Sequence, residues 1–179
     1  MRAAIFHPNL PTHAVETMTQ DIYAVLDSLG IPYARHDHPP AFTVEQADEL
    51  YGHLPGGHFK NLFLRNKKGD RHYLLVVEAH TPVDLKTVRA QVDESTLSFA
   101  SPERLLRHLG LTPGSVSPFG LINDPERNVV VLLDGSVLRH DPLNFHPNIN
   151  TATLSVSQQD FQKFLEHTGH PVQRVELAP

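Results

Sequence analysis

Two strand-type runs separated only by a short polar turn constrain this chain more than any other feature. Phe59–Arg65 and His72–Glu78 flank Asn66-Lys67-Lys68-Gly69, and that spacing reads as an antiparallel β-hairpin. Helix-type segments lie on both sides of it. A hairpin within a helix–strand alternation excludes a purely parallel sheet. The expected class is α/β (mixed): a mixed β-sheet with helices packed against it. Within the first strand Lys60 shares a face with Leu62 and Leu64, because side chains alternate along a strand. An ammonium on an apolar face is costly without a partner. Two readings fit: an anionic partner or ligand mouth, or a stem that snorkels at a sheet edge.

The remaining elements follow from caps and periodicity. Thr19 is the expected cap of a helix carrying Ile22, Val25, Leu26 and Leu29 on one face and stopped by Gly30. Tyr33 to His36 reads as a short strand. Thr43-Val44-Glu45-Gln46 fits a capping box for a second helix, and Gly52–His58 reads as a loop. Asp84 opens a short helix to Val92. Ser101-Pro102-Glu103 opens another that Gly110 ends. Leu121-Ile122, Val129–Leu133, Thr151–Val156 and Val172–Leu177 are strand-like. Ser157 caps a helix with Phe161, Phe164 and Leu165 inward. Residues 1–17 show no periodic pattern and read as an extension outside the domain, leaving 18–179 as the domain proper.

Composition bounds the class of function. A chain of 179 residues suits one domain with a single sizeable core. With no Cys there is no disulfide, thiol nucleophile or thiolate metal site, which suits a reducing cytoplasm. The first residues carry too short an apolar run for a signal peptide, and no stretch is long enough for a membrane span. Net charge is −5, which argues against a broad basic surface gripping nucleic acid. A local patch remains open: Arg65, Lys67, Lys68 and Arg71 cluster at the hairpin, either as contacts or as solvated turn charges.

The thirteen histidines show no metal-ligand spacing, so no metal and no cofactor are expected. No nucleophile elbow, P-loop or dinucleotide fingerprint occurs. Gly114-Ser115-Val116-Ser117-Pro118, followed by Phe119-Gly120, is a stiffened turn. Such a turn either aims backbone N–H groups at a carbonyl or phosphate or is simply a turn.

Several segments together resemble one enzyme family. They are Phe59-Lys60-Asn61-Leu62-Phe63-Leu64, Val83-Asp84-Leu85-Lys86, Leu97–Ser101, Leu109–Gly120, His146-Pro147-Asn148 and Asn150–Thr153. The family is the editing domain of bacterial prolyl-tRNA synthetases with its free-standing relatives, the trans-editing aminoacyl-tRNA deacylases. The resemblance covers roughly Thr19 to Leu177. Within the family it is greatest to the free-standing deacylases that clear alanine from mischarged tRNA(Pro).

The resemblance implies a sheet rolled partway into a barrel, the YbaK-type editing fold. It implies hydrolysis of an aminoacyl ester by a positioned water, without a covalent intermediate. It implies that Lys60, Gly114 and His146 serve catalysis: Lys60 on the terminal phosphate or ribose, the Gly114 loop on the ester carbonyl, His146 on a water or the ribose. It places Asn61, Ser115, Val116, Ser117, Pro118 and Phe119 around the substrate, with Asn61 holding either a loop or the substrate ammonium. The implied partner is the acceptor end of aminoacyl-tRNA(Pro), with prolyl-tRNA synthetase or an elongation factor as transient partners. Size exclusion of proline is expected from Val116–Phe119, Leu62 and Leu64. Other substrates, Cys-tRNA(Pro) or another small aminoacyl-tRNA, stay open. So does a non-catalytic nucleic-acid-binding module, which the lack of Trp and of an aromatic stripe disfavours.

Overall fold

The computed structural model describes residues 19–177; the expected extension 1–17 lies outside them. The elements run α1 Ile22–Ser28, β1 Ala34–Asp37, α2 Val44–Tyr51, β2 Gly57–Asn66, β3 His72–Glu78, α3 Leu85–Gln91, β4 Leu97–Phe99 and α4 Pro102–Leu109. A 3₁₀ helix Pro118–Asn123, β5 Val129–Asp134, a second 3₁₀ helix Gly135–Arg139, β6 Leu143–Phe145, β7 Ala152–Val156, α5 Gln158–Thr168 and β8 Val172–Val175 complete the order.

Local chemistry explains the helix ends. The side chains of Thr43, Ser101 and Ser157 accept the N–H of Gln46, Arg104 and Asp160 and so cap α2, α4 and α5. Gly110 and Gly169 close α4 and α5 in the left-handed conformation. At α1 the cap is Asp21, not Thr19: the Asp21 carboxylate accepts the N–H of Tyr23, and Thr19 lies too far upstream of the first turn.

The strands form one mixed sheet in the order β1-β7-β6-β2-β3-β5-β8, with β4 also on β2. The hairpin β2–β3 pairs from Phe59↔Glu78 to Arg65↔His72. Asn66 organises its turn, its side-chain oxygen accepting the N–H groups of Gly69, Asp70 and Arg71. Strand β2 serves two neighbourhoods. Gly57 and His58 pair parallel with β6, whereas Leu64, Arg65 and Asn66 pair antiparallel with β4. This explains why β2 begins within the segment expected to be a loop, since partners far along the chain recruit Gly57 and His58.

One core fills the face covered by α1, α4 and α5, with Phe63, Phe119, Phe145, Phe161 and Phe164 among its members. A second, smaller core holds Leu64, Tyr73, Leu75 and Val88 against α3. Leu121-Ile122 is not a strand. Ser117 caps the 3₁₀ helix through the Phe119 N–H, Pro118 starts it, and both apolar residues are buried. Their apolarity reflects burial in the first core, not sheet pairing.

Candidate active site

The start of β2, one face of α2 and two loops surround a cleft of about 200 Å³. Its floor is set where β2 meets β6. There the Asn144 amide donates to the carbonyls of Pro55 (3.0 Å) and Gly57 (3.1 Å) and accepts from Ser155 Oγ. Its wall is α2, which turns Val44, Ala47, Asp48 and Tyr51 inward; the spacing i, i+3, i+4, i+7 is one helical stripe. No residue of α2 is fully buried, so this helix faces the cleft rather than a core.

Lys60, Asn61, Gly114, Val116 and His146 all line the cleft. Lys60 Nζ donates to the Thr81 carbonyl at 2.6 Å. Desolvation lowers its pKa from the usual lysine value, and among the described residues no carboxylate pairs with it. An ammonium has three donors, so two remain for an anion or carbonyl. Asn61 sits on the opposite face of β2, as strand alternation requires. Its Nδ2 donates to the Val116 carbonyl at 3.1 Å, which fixes the amide orientation and ties the loop to the strand. Its Oδ1 is buried without a hydrogen-bond partner.

Gly114 has φ +88°, and a Cβ there would lie 3.1 Å from the Phe42 ring. The turn spends the Ser115 N–H on the Thr112 carbonyl at 3.1 Å. Ser115, Ser117, Pro118 and Phe119 are buried and do not line the cleft. The Ser117 hydroxyl is spent on the Phe119 N–H. The Phe119 ring packs edge-on against Phe145 and Phe164 in the core. Leu64 belongs to the second core and Leu62 packs against it, and neither lines the cleft. Of the residues expected to form a size-excluding wall, only Val116 reaches the cleft.

His146 is held by a partner the sequence did not announce. Tyr51 Oη lies 3.1 Å from His146 Nε2, and His38 stacks near Tyr51 with centroids 4.4 Å apart. His38 Nδ1 donates to the Pro39 carbonyl at 2.8 Å, and its Nε2 lies 3.0 Å from the Thr153 hydroxyl. Burial, then nearby His38, pushes the His146 pKa down to about 4. Burial, then Asp48, pushes that of Tyr51 up to about 12. At neutral pH both are uncharged, so the pair orients polar groups without a net charge. Among the described residues the one carboxylate at the cleft, Asp48, lies 3.2 Å from His80 Nε2.

One sequence candidate falls elsewhere. The hairpin cations lie at the opposite end of β2. There Arg65 donates to the Asn66 and Lys67 carbonyls, and Arg71 lies 3.6 Å from Glu94. Among the described residues no group of three His, Asp or Glu is placed to hold a metal, and no helix is long and apolar enough to cross a membrane.

The chain belongs to the aminoacyl-tRNA editing domain family, whose profile matches residues 38–164. It is 38% identical over 158 residues to the prolyl-tRNA editing protein ProX of Acetoanaerobium sticklandii, covering 88% of this chain and 96% of that one. It is 36% identical to the prolyl-tRNA synthetase associated domain-containing protein 1 of Bos taurus, over 81% of this chain and 86% of that protein. The fold matches a structure solved as a candidate trans-editing enzyme for prolyl-tRNA synthetase, with TM-score 0.68 and 23% identity, over 89% of this chain and 95% of the other. The mixed, partly rolled sheet with packed helices is thus the fold of this family.

Proposed function

We propose that this protein is a trans-editing deacylase that hydrolyses mischarged tRNA(Pro), with Ala-tRNA(Pro) as its substrate. The observation that carries this is the convergence of Lys60, Asn61, Gly114 and His146, from three separate segments, on one small cleft. Its volume of about 200 Å³ falls below the roughly 300–1,000 Å³ of typical ligand sites. It suits a small aminoacyl group and the ribose that bears it. The similarity to a prolyl-tRNA editing protein supports the tRNA. Transient contact with prolyl-tRNA synthetase or an elongation factor belongs to the same reading.

The chemistry needs little beyond positioning, because the ester is already activated. Water attacks the ester carbonyl carbon, the carbonyl oxygen gains negative charge, and the ribose oxygen leaves with a proton. The backbone N–H groups of Gly114 and Val116 are the loop donors left to stabilise that developing charge, because the Ser115 N–H is spent on Thr112. Lys60 holds the terminal phosphate or ribose. The unpartnered Asn61 Oδ1 accepts from the substrate ammonium. Uncharged His146, steadied by Tyr51, orients the water or the ribose hydroxyl next to the ester, which helps activate the water. Val116 closes the pocket against larger amino acids, where a clash outweighs the small gain from one methyl.

Incubating the purified protein with Ala-, Cys-, Ser- and Pro-tRNA(Pro) tests the reading. Release of alanine, with proline retained, is expected. No release of any amino acid above the buffer rate refutes it, and preferential release of cysteine or serine reassigns the substrate.

A further inference from the structure

Phe42 is the feature of the cleft that neither the fold nor the chemistry above explains. It is 68% exposed. Isolated exposed apolar side chains are ordinary, so its position is what matters. Of the large hydrophobics exposed among the described residues, Phe42 alone lines the cleft.

Its placement is fixed rather than incidental. The Phe42 N–H donates to Gln46 Oε1 at 2.8 Å, beside the Thr43 cap of α2. A residue at this position, just before a helix cap, usually buries itself on the residue four places into the helix. That residue here is Ala47, too small to cover a phenyl ring. One ring edge instead lies against Gly114, whose added Cβ would stand 3.1 Å from Phe42 Cδ1 and 3.4 Å from Cε1. The rest of the ring is open at the mouth of the cleft.

We propose that Phe42 is a stacking platform for the base of the tRNA's 3′-terminal nucleotide. This rests on the deacylase reading. With the aminoacyl ester in the cleft, the base on the same ribose must emerge at the mouth. It needs a surface there, and an exposed aromatic ring supplies one without hydrogen-bond readout. Phe42 thereby positions the ester against Gly114, the residue its ring touches. The cleft proper then need hold only the sugar and a small amino acid, in keeping with its volume.

The test uses an uncharged RNA hairpin of acceptor-stem sequence whose terminal base is replaced by fluorescent 2-aminopurine. Stacking on an aromatic ring quenches that base. Quenching at saturating wild-type protein, kept in Phe42→Trp and lost in both Phe42→Ala and Phe42→Leu, is the expected result. Phe42→Leu retains apolar contact with Gly114 and so separates stacking from packing. Equal quenching by wild type and Phe42→Leu overturns the proposal, as does no quenching by saturating wild type.

A second arm measures kcat/KM on an alanylated hairpin with an intact terminal adenosine and on one with an abasic terminal ribose. The expected loss in Phe42→Leu is about 5- to 150-fold on the first substrate and none on the second. An equal loss on both makes Phe42 a packing residue and overturns the proposal. If wild type releases no alanine from tRNA(Pro), the deacylase reading fails by itself, and the fluorescence arm still decides the stacking.

Discussion

Replacing Lys60 removes an ammonium that the fold keeps half-buried beside a single carbonyl partner. Lys60→Ala is expected to lower kcat/KM for Ala-tRNA(Pro) by about 10- to 150-fold, the worth of a hydrogen bond to a charged group. The melting temperature should barely change. Lys60→Met keeps the apolar stem and should be equally impaired if the charge matters. Near-normal activity in both would make Lys60 a snorkelling residue. Gly114→Ala meets two obstacles, a positive φ and a Cβ against the Phe42 ring. It should cost roughly 1–2 kcal/mol in stability and lower deacylation further by displacing the loop. Denaturant midpoints and single-turnover rates on the same variant separate the two effects. Wild-type turnover in a well-folded Gly114→Ala protein would remove the loop from the mechanism.

At the scale of elements, α2 stands apart because none of its residues is fully buried and its inward stripe faces the cleft. Its stability therefore rests on capping more than packing. Thr43→Ala removes the side-chain acceptor for the Gln46 N–H, at a cost of about 1 kcal/mol to the helix. The expected outcome is faster amide exchange across Val44–Tyr51 and a lower kcat/KM, with the global unfolding midpoint nearly unmoved. A large drop in the global midpoint would show instead that α2 is integral to the core.

The caps at Thr43, Ser101 and Ser157 were legible in the sequence because each signal lies within four residues of its effect. Strand β6 was not, since three residues carry no period and only pairing with Gly57 and His58 on one side and Leu154–Val156 on the other makes them a strand. The site divides the same way. Lys60, Asn61, Gly114 and His146 came from family resemblance and gather in one cleft. Tyr51 and Phe42 were missed because their partners, His146 and Gly114, are brought to them only by the fold. The Gly114 loop itself was read correctly as a tight turn, but burial of Ser117 and Phe119 depends on the core it enters, which no local pattern announces.

Across the whole molecule, buried histidines set the acid limit of stability. His72 is fully inside the fold, and its Nε2 accepts from Arg104 Nη1 at 2.9 Å, a role only the neutral ring can fill. Burial first, then neighbouring His108 and Arg104, push its pKa down to about 4; His146 is pushed down to about 4 by burial and by His38. In the unfolded chain a histidine titrates near 6.5. Between these values the unfolded state binds protons that the folded state refuses, so stability falls as pH drops from about 6.5 to about 4. Each such proton contributes a slope of up to about 1.4 kcal/mol per pH unit. The carboxylates whose pKa the fold lowers, Asp124 among them, act in a separate window. Their contribution is present above about pH 4, the unfolded carboxylate range, and is lost below it. Urea midpoints should therefore rise with pH from 4.5 to about 6.5 and level off toward 7.5. His72→Gln keeps an acceptor for Arg104 but cannot titrate, so it should flatten that slope by the share of one proton while leaving the region below pH 4 unchanged. A His72→Gln slope equal to wild type would mean that His72 is already protonated in the folded protein and that Arg104 has turned away from it.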